Sequence, residues 1–238
     1  MNVLAFDTCF GALSVAVRWQ TAGGEWRLGE AFELRSTGHA ERLFPMLAEV
    51  MDGAGMAFPA LDRIAVTLGP GTFTGVRVGI SAARALALAT AKPVVGITSL
   101  AAMALHAEEL LGEPLASRQL IVAVDARRGM AYVQLFAAGA VETSEALLLE
   151  PEAAALRIGR LPALIVGSAA AAVSAAIERT GGEAEARLPD LQPHARALAA
   201  IATGLAPITP IKPLYLRLPD VKPPGEAPIP RTQPRTQP

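Results

Sequence analysis

The stretch from Arg63 to Thr90 constrains the fold more than any other part of the chain. It reads RIAVT, then LGPGTFTG, then VRVGISAARALALAT. The first five residues have the β-branched character of a short buried strand. Leu68 to Gly75 holds three glycines and a proline in eight residues, which marks a loop. From Val76 a helix is expected, its first turn capped by the hydroxyl of Thr72 or Thr74. Gly75, Gly79, Ala83, Ala87 and Ala91 recur every fourth residue and so line one nearly bare helical face. An internal glycine costs about 1 kcal/mol against alanine. Gly79 therefore implies close approach by another backbone, most economically a second helix lying on this face.

The 238 residues allow one large domain or two moderate ones. With 52% hydrophobic and 18% charged residues there is ample material for a core, built mainly from Ala, Leu, Val and Ile because only 5% are aromatic. A net charge of −1 excludes a strongly basic, self-sufficient nucleic-acid binder. Cys9 is the only cysteine, so no intrachain disulfide forms and a reducing compartment is expected. The opening MNVLAFDT lacks the pattern of a signal peptide. The longest uncharged run, Leu161 to Ile177, is interrupted by Pro162 and Gly167-Ser168 and falls short of a membrane span. A cytoplasmic protein without a membrane partner is expected.

Residues 2 to 7 form a first strand ending at Asp7-Thr8. Ala12 to Trp19 and Trp26 to Arg35 follow as strands around a Gly23-Gly24 hairpin. Leu43, Met46, Leu47, Val50 and Met51 then recur at helical spacing over about 40–52, with Pro45 as a kink or an early-turn residue. Pro93 to Ile97 gives a strand, and Ser99 to Leu111 a helix stopped by Gly112 and Pro114. The segment Val122 to Asp125, with Gly129 four residues on and a strand from Met130 to Phe136, repeats the pattern of Leu4 to Asp7, Gly11 and the strand after it. Ala163 to Val166, Gly167-Ser168 and Ala169 to Arg179 echo the strand, turn and helix of 63–90. Two echoes in the same order indicate an internal duplication. Arg196 to Thr203 reads as a short helix. Ten of the 19 prolines lie from Pro207 onward, so residues after about 218 read as a disordered tail, with Tyr215-Leu216-Arg217 docking on the body.

None of the chemical motifs is complete. The 68–75 loop resembles a phosphate cradle, yet Val76-Arg77 stands where a Walker A loop needs Lys and Ser or Thr. A dinucleotide reading through Gly69, Gly71 and Gly75 is one residue too long, and no acid stands about 20 positions on. Turn and packing glycines explain the loop better. Asp7, Thr8 and Asp125 at strand ends are candidates for holding a magnesium nucleotide, against the simpler reading that each aspartate caps a turn. His39 has Leu43, not histidine, four residues on, and His106 and His194 have no partner at ligand spacing, so no metal site is expected. Cys9 has no neighbouring histidine and no serine sits in a GxSxG elbow, so no catalytic residue is assigned.

FDTCFGALSVAV, HAERLFPML, LGPGTFTGVRVGISAARALA, VDARRGMAYVQLF and PLYLR, in this order and spacing, resemble the TsaB (YeaZ) family as far as about Arg217. These are bacterial partner proteins in the threonylcarbamoyl-adenosine modification of tRNA. The resemblance implies an α/β, actin-like ATPase (ASKHA, RNase H-like) fold of two related domains, 1–98 and 99–217, each with a mixed β-sheet flanked by helices. It also implies a non-catalytic accessory subunit that binds and activates TsaD, with TsaE completing a ternary complex. TsaD carries a metal-binding His-x-x-x-His, of which only His39 is matched here. On this reading ATP and metal belong to the partner subunits, the chain binds no cofactor strongly by itself, and it meets tRNA only through the complex. The family's partner and self-association surface maps to helices 40–52 and 76–91: Leu43, Met46, Leu47 and Val50 on one, Gly75, Val78, Gly79, Ala82 and Ala83 on the other. Two rivals stand beside it, an ATP-dependent transferase using Asp7 and Asp125, and a homodimeric scaffold unrelated to tRNA.

Overall fold

A computed structural model describes residues 1–112, 118–159 and 161–217. The expected disordered tail from 218 lies outside the described residues. The chain forms two mixed sheets flanked by helices. The first comprises β1 (Val3–Asp7), β2 (Ala12–Gln20), β3 (Trp26–Leu34), β4 (Arg63–Thr67) and β5 (Val94–Ile97), in the order β3-β2-β1-β4-β5. The second comprises β6 (Gln119–Asp125), β7 (Ala131–Ala137), β8 (Val141–Glu142), β9 (Leu147–Leu149), β10 (Ala163–Val166) and β11 (Ala184–Arg187), in the order β11-β10-β6-β7-β8, with β9 also on β7. In each sheet the leading strand pairs antiparallel with a hairpin mate and parallel with a later strand: β1 with β2 and β4, β6 with β7 and β10. The duplication visible in the sequence is thus repeated in the sheet topology.

The helices are α1 (His39–Gly53), α2 (Phe73–Thr90), α3 (Ser99–Leu111), α4 (Pro151–Ile158), α5 (Ala170–Arg179) and α6 (Ala195–Ile201). α1 buries His39, Leu43, Met46, Leu47, Val50 and Met51 against the first sheet and α2, as its 3.6-residue period requires. Pro45 stands inside the helix on its exposed side, where the missing N–H leaves the buried stripe intact. α2 begins three residues before Val76. Thr72, with extended backbone, accepts the Gly75 N–H at 3.1 Å and so sets the helix start at Phe73. α6 covers the opposite face of the first sheet, with Ala195, Leu198 and Ala199 on Val3, Ala5 and Ala16. Small side chains there let α6 lie close to the strands.

The bare face of α2 meets its own chain. A Cβ at Gly75 would fall inside the contact radius of the Thr8 carbonyl oxygen, and one at Gly79 would stand 2.7 Å from Thr8 Oγ1. Thr8 Oγ1 also donates to the Gly75 carbonyl at 2.7 Å. The expected close backbone is therefore the turn after β1 rather than a second helix. Neither β1 nor its turn is adjacent to α2 in sequence, so the period revealed that something approaches but not what. α4 and β11 went unread in the sequence: short, alanine-rich or charged segments carry little period.

Candidate functional site

α1 and α2 leave a shallow groove of about 550 Å³ between them. Its walls include Ala40, Phe44, Phe73, Val78, Ser81 and Ala85. Phe44 is 49% exposed and Phe73 40%, unusual for phenylalanine in a chain with so few aromatics. Phe44 follows Leu43 and so stands about 100° round the helix from the buried stripe, directed at solvent. Phe73, at the first turn of α2, packs on Tyr215 with the two rings tilted by 32° and their centroids 5.4 Å apart, and carries the Arg77 guanidinium 4.9 Å above its ring. Phe73 is thereby held in place before any partner arrives.

Of the residues expected to face a partner, Leu43, Val78 and Ala82 line the groove, Val78 half-buried and the other two buried at its floor. Met46, Leu47 and Val50 are buried in the chain's own core, as are Gly75, Gly79 and Ala83 on the side of α2 turned toward β1 and β4. These six lie beneath the surface and support it. Core stripe and contact stripe share one helical period, so sequence spacing cannot separate them. Phe44 and Phe73 were missed for the same reason. Their signal was available as large aromatics off the buried period.

The two aspartates occupy unlike surroundings. Asp7 is buried at the end of β1. Its Oδ1 accepts the Thr67 hydroxyl at 2.5 Å and its Oδ2 accepts the Cys9 N–H at 3.2 Å. Burial pushes its carboxyl up from 3.8 to about 6, despite these bonds. Thr8 is likewise spent on Gly75. Asp125 is exposed, and its Oδ1 accepts the Arg127 N–H at 2.8 Å across a turn in which Arg127, Arg128 and Gly129 all have positive φ. It lines a cleft of about 350 Å³ with Phe10, Thr72, Tyr132 and the 214–217 segment. Asp7 does not line that cleft. Both carboxylates are engaged by turns, and the structure does not present them together.

The donor set does not fit the metal that a His-x-x-x-His motif would hold. His39 is buried with Nε2 3.2 Å from the Ala12 carbonyl, and Leu43 supplies no donor. Cys9 is buried, its Sγ 3.3 Å from Thr67 Oγ1, and burial raises its thiol well above the ordinary value. That thiol is no nucleophile. Among the described residues no cluster of three His, Cys, Asp or Glu is arranged for a metal, and no helix is long and apolar enough to cross a membrane. The 214–217 segment docks as expected: the Leu214 N–H donates to the Leu68 carbonyl at 2.7 Å, and Arg217 Nη1 donates to the Ala126 carbonyl at 2.8 Å.

Residues 33–175 match the family model described as TsaD, tRNA N6-adenosine threonylcarbamoyltransferase. The tRNA threonylcarbamoyladenosine biosynthesis protein TsaB of Escherichia coli is 35% identical over 132 residues, 56% of this chain and 53% of that protein. The chain thus spans about half the length of that relative and of its Haemophilus influenzae counterpart. An uncharacterized protein of Mycobacterium tuberculosis is 32% identical over 227 residues, 93% of this chain and 94% of its own. Among solved structures, YeaZ from Pseudomonas aeruginosa superposes with a TM-score of 0.73 at 28% identity, covering 90% of this chain and 99% of that one. The two mixed sheets flanked by helices are the actin-like arrangement expected from the sequence.

Proposed function

From the premise that the chain belongs to the TsaB (YeaZ) family, we propose that it is a non-catalytic accessory subunit of tRNA threonylcarbamoyladenosine biosynthesis, docking a TsaD-type transferase through the α1–α2 groove. The groove carries this reading: two part-exposed phenylalanines flank half-buried Val78, with their backing residues fixed in the core. Exposed aromatics around a concave apolar floor are what a partner helix anchors on. The non-catalytic role rests on His39 being turned onto a backbone carbonyl, with leucine at the second ligand position. ATP, metal and tRNA then belong to the transferase and to TsaE, and the chain works in the cytoplasm. The unit 1–98, which holds the first sheet, contributes the docking helices; the unit 99–217 repeats the architecture. Self-association through the same groove excludes the transferase, because one surface serves both. The rival nucleotide-using transferase is disfavoured by Asp7, whose oxygens are bonded inside the chain.

Phe44→Asp places a charge on the groove without touching the core. It is expected to weaken co-elution with a TsaD-type transferase at least a hundredfold while leaving the unfolding temperature within about 2 °C. Binding that survives Phe44→Asp and Val78→Asp unchanged would move the interface elsewhere.

A further inference from the structure

β3 is a nine-residue edge strand, registered without a bulge from Ala12 against Leu34 to Gln20 against Trp26. Edges of this length are normally blunted by proline, lysine, a bulge or a covering element. β3 has none of the first three; its charged residues Arg27, Glu30 and Glu33 are paired within their own chain, and no other strand among the described residues pairs with its outer edge. Trp26, Leu28, Phe32 and Leu34 alternate onto one face, all exposed, Leu34 by 73%. The row is held in place: Arg18 lies 3.8 Å over the Trp26 ring, Phe32 stacks on His194 with centroids 5.1 Å apart, and Glu30 pairs with Arg196 at 3.2 Å.

We infer that β3 pairs antiparallel with β3 of a second copy of this chain, about a two-fold axis at Glu30, joining the two five-stranded sheets. The sequence WRLGEAFEL is complementary to itself in that register. Trp26 opposes Leu34 and Leu28 opposes Phe32 on one face; Arg27 opposes Glu33 on the other. Opposite residues of an antiparallel pair point to the same face, so the apolar row of one copy continues into that of the other. A shift by one residue sets the apolar row against the α1 face, and a shift by two breaks the Arg27–Glu33 match. The one like-charge meeting, Glu30 with Glu30, is offset in part by Arg196, which each Glu30 shares with Glu109 of its own chain. Such a contact is isologous and closes at two copies. It is separate from the α1–α2 groove and does not rest on it.

The test uses the full chain carrying Phe44→Asp, which removes self-association through the groove. Sedimentation should give a dimer of the 24.7 kDa chain, and Leu28→Lys should raise its dissociation constant at least tenfold. Circular dichroism of the Leu28→Lys variant checks that it is folded. Register is read by cysteine cross-linking, since Cys9 is buried. Glu30→Cys meets its own copy within disulfide range and should form a covalent dimer under mild oxidation, whereas Ala31→Cys lies about 7–8 Å from its copy and should not. A Phe44→Asp chain that stays monomeric at about 100 µM, or equal cross-linking of both cysteines, would overturn the inference.

Discussion

Gly75→Ala is expected to destabilise the folded chain by about 3 kcal/mol or more, although a single methyl group is added. The Thr8 carbonyl occupies the place of that methyl, and Thr8 Oγ1 donates to the Gly75 carbonyl, so neither partner can retreat without losing the other contact. Thr8 is itself fixed between Asp7 and Cys9, which hold the end of β1 to Thr67 of β4. Relief requires α2 to separate from the first sheet, which would also displace Phe73 and Val78 in the groove. Gly53→Ala is the matched control. Gly53 ends α1 with no atom near its missing Cβ and an ordinary helical φ, so alanine there should stabilise by a few tenths of a kcal/mol through helix propensity. Urea unfolding of both variants reads the difference. Equal, small effects would mean that the α2–Thr8 contact is loose.

The second large effect is a pH dependence that two groups conceal from one another. Asp7 has its carboxyl raised from 3.8 to about 6 by burial, so between those values the folded chain holds a proton that the unfolded chain has lost. Its contribution is fully present below 3.8 and disappears as pH rises through 6. His194 is lowered from 6.5 to about 4, chiefly by burial and then by the neighbouring His106 and Arg196 charges. Its ring lies edge-on to His106 at 4.8 Å and accepts the Arg196 N–H at Nδ1. Here the unfolded chain holds the extra proton, so the contribution is present above 6.5 and lost as pH falls through 4. The slopes oppose each other across pH 4 to 6, and the unmodified chain should show little net dependence from this pair.

Asp7→Asn removes one side of the balance. The amide can donate to Thr67 Oγ1 and its oxygen can accept the Cys9 N–H, while the Thr67 hydroxyl turns to Cys9 Sγ. Stability should then rise steeply from pH 4 to 6.5. At pH 7.5 the variant should exceed the parent by up to about 3 kcal/mol, the worth of a shift of this size. His194→Gln should give the opposite slope, falling from pH 4 to 6. Denaturant melts at four pH values distinguish the shapes. An Asp7→Asn curve parallel to the parent would mean that Asp7 is ionised in the folded state throughout.

How far the chain could be read in advance depended on whether a feature was local. The strand at 63–67, the helix at 99–111 and the strand at 163–166 have observed limits equal to the expected ones, because caps and stops lie next to them. Thr98 accepting the Ala101 N–H and Gly112 in the left-handed region are such local signals. The contact between Gly75 and Thr8 spans 67 residues, and only its bare helical face showed in the sequence. The groove was half legible. Its two helices were found, but Met46, Leu47 and Val50 share the period of residues that reach the surface, and only packing assigns them to the core. Asp125 capping a turn was the simpler of two readings and is what the hydrogen bond to Arg127 shows.

On the proposed function, the chain assists a transferase and does not itself transfer. Labelled threonine incorporation into unmodified tRNA tests it most directly, with TsaC, TsaD, TsaE, ATP and bicarbonate present and this chain added, omitted or replaced by Phe44→Asp. Incorporation that requires the chain, and falls to the level of its omission with the groove variant, is the predicted result. Incorporation that is equal in all three reactions would contradict it.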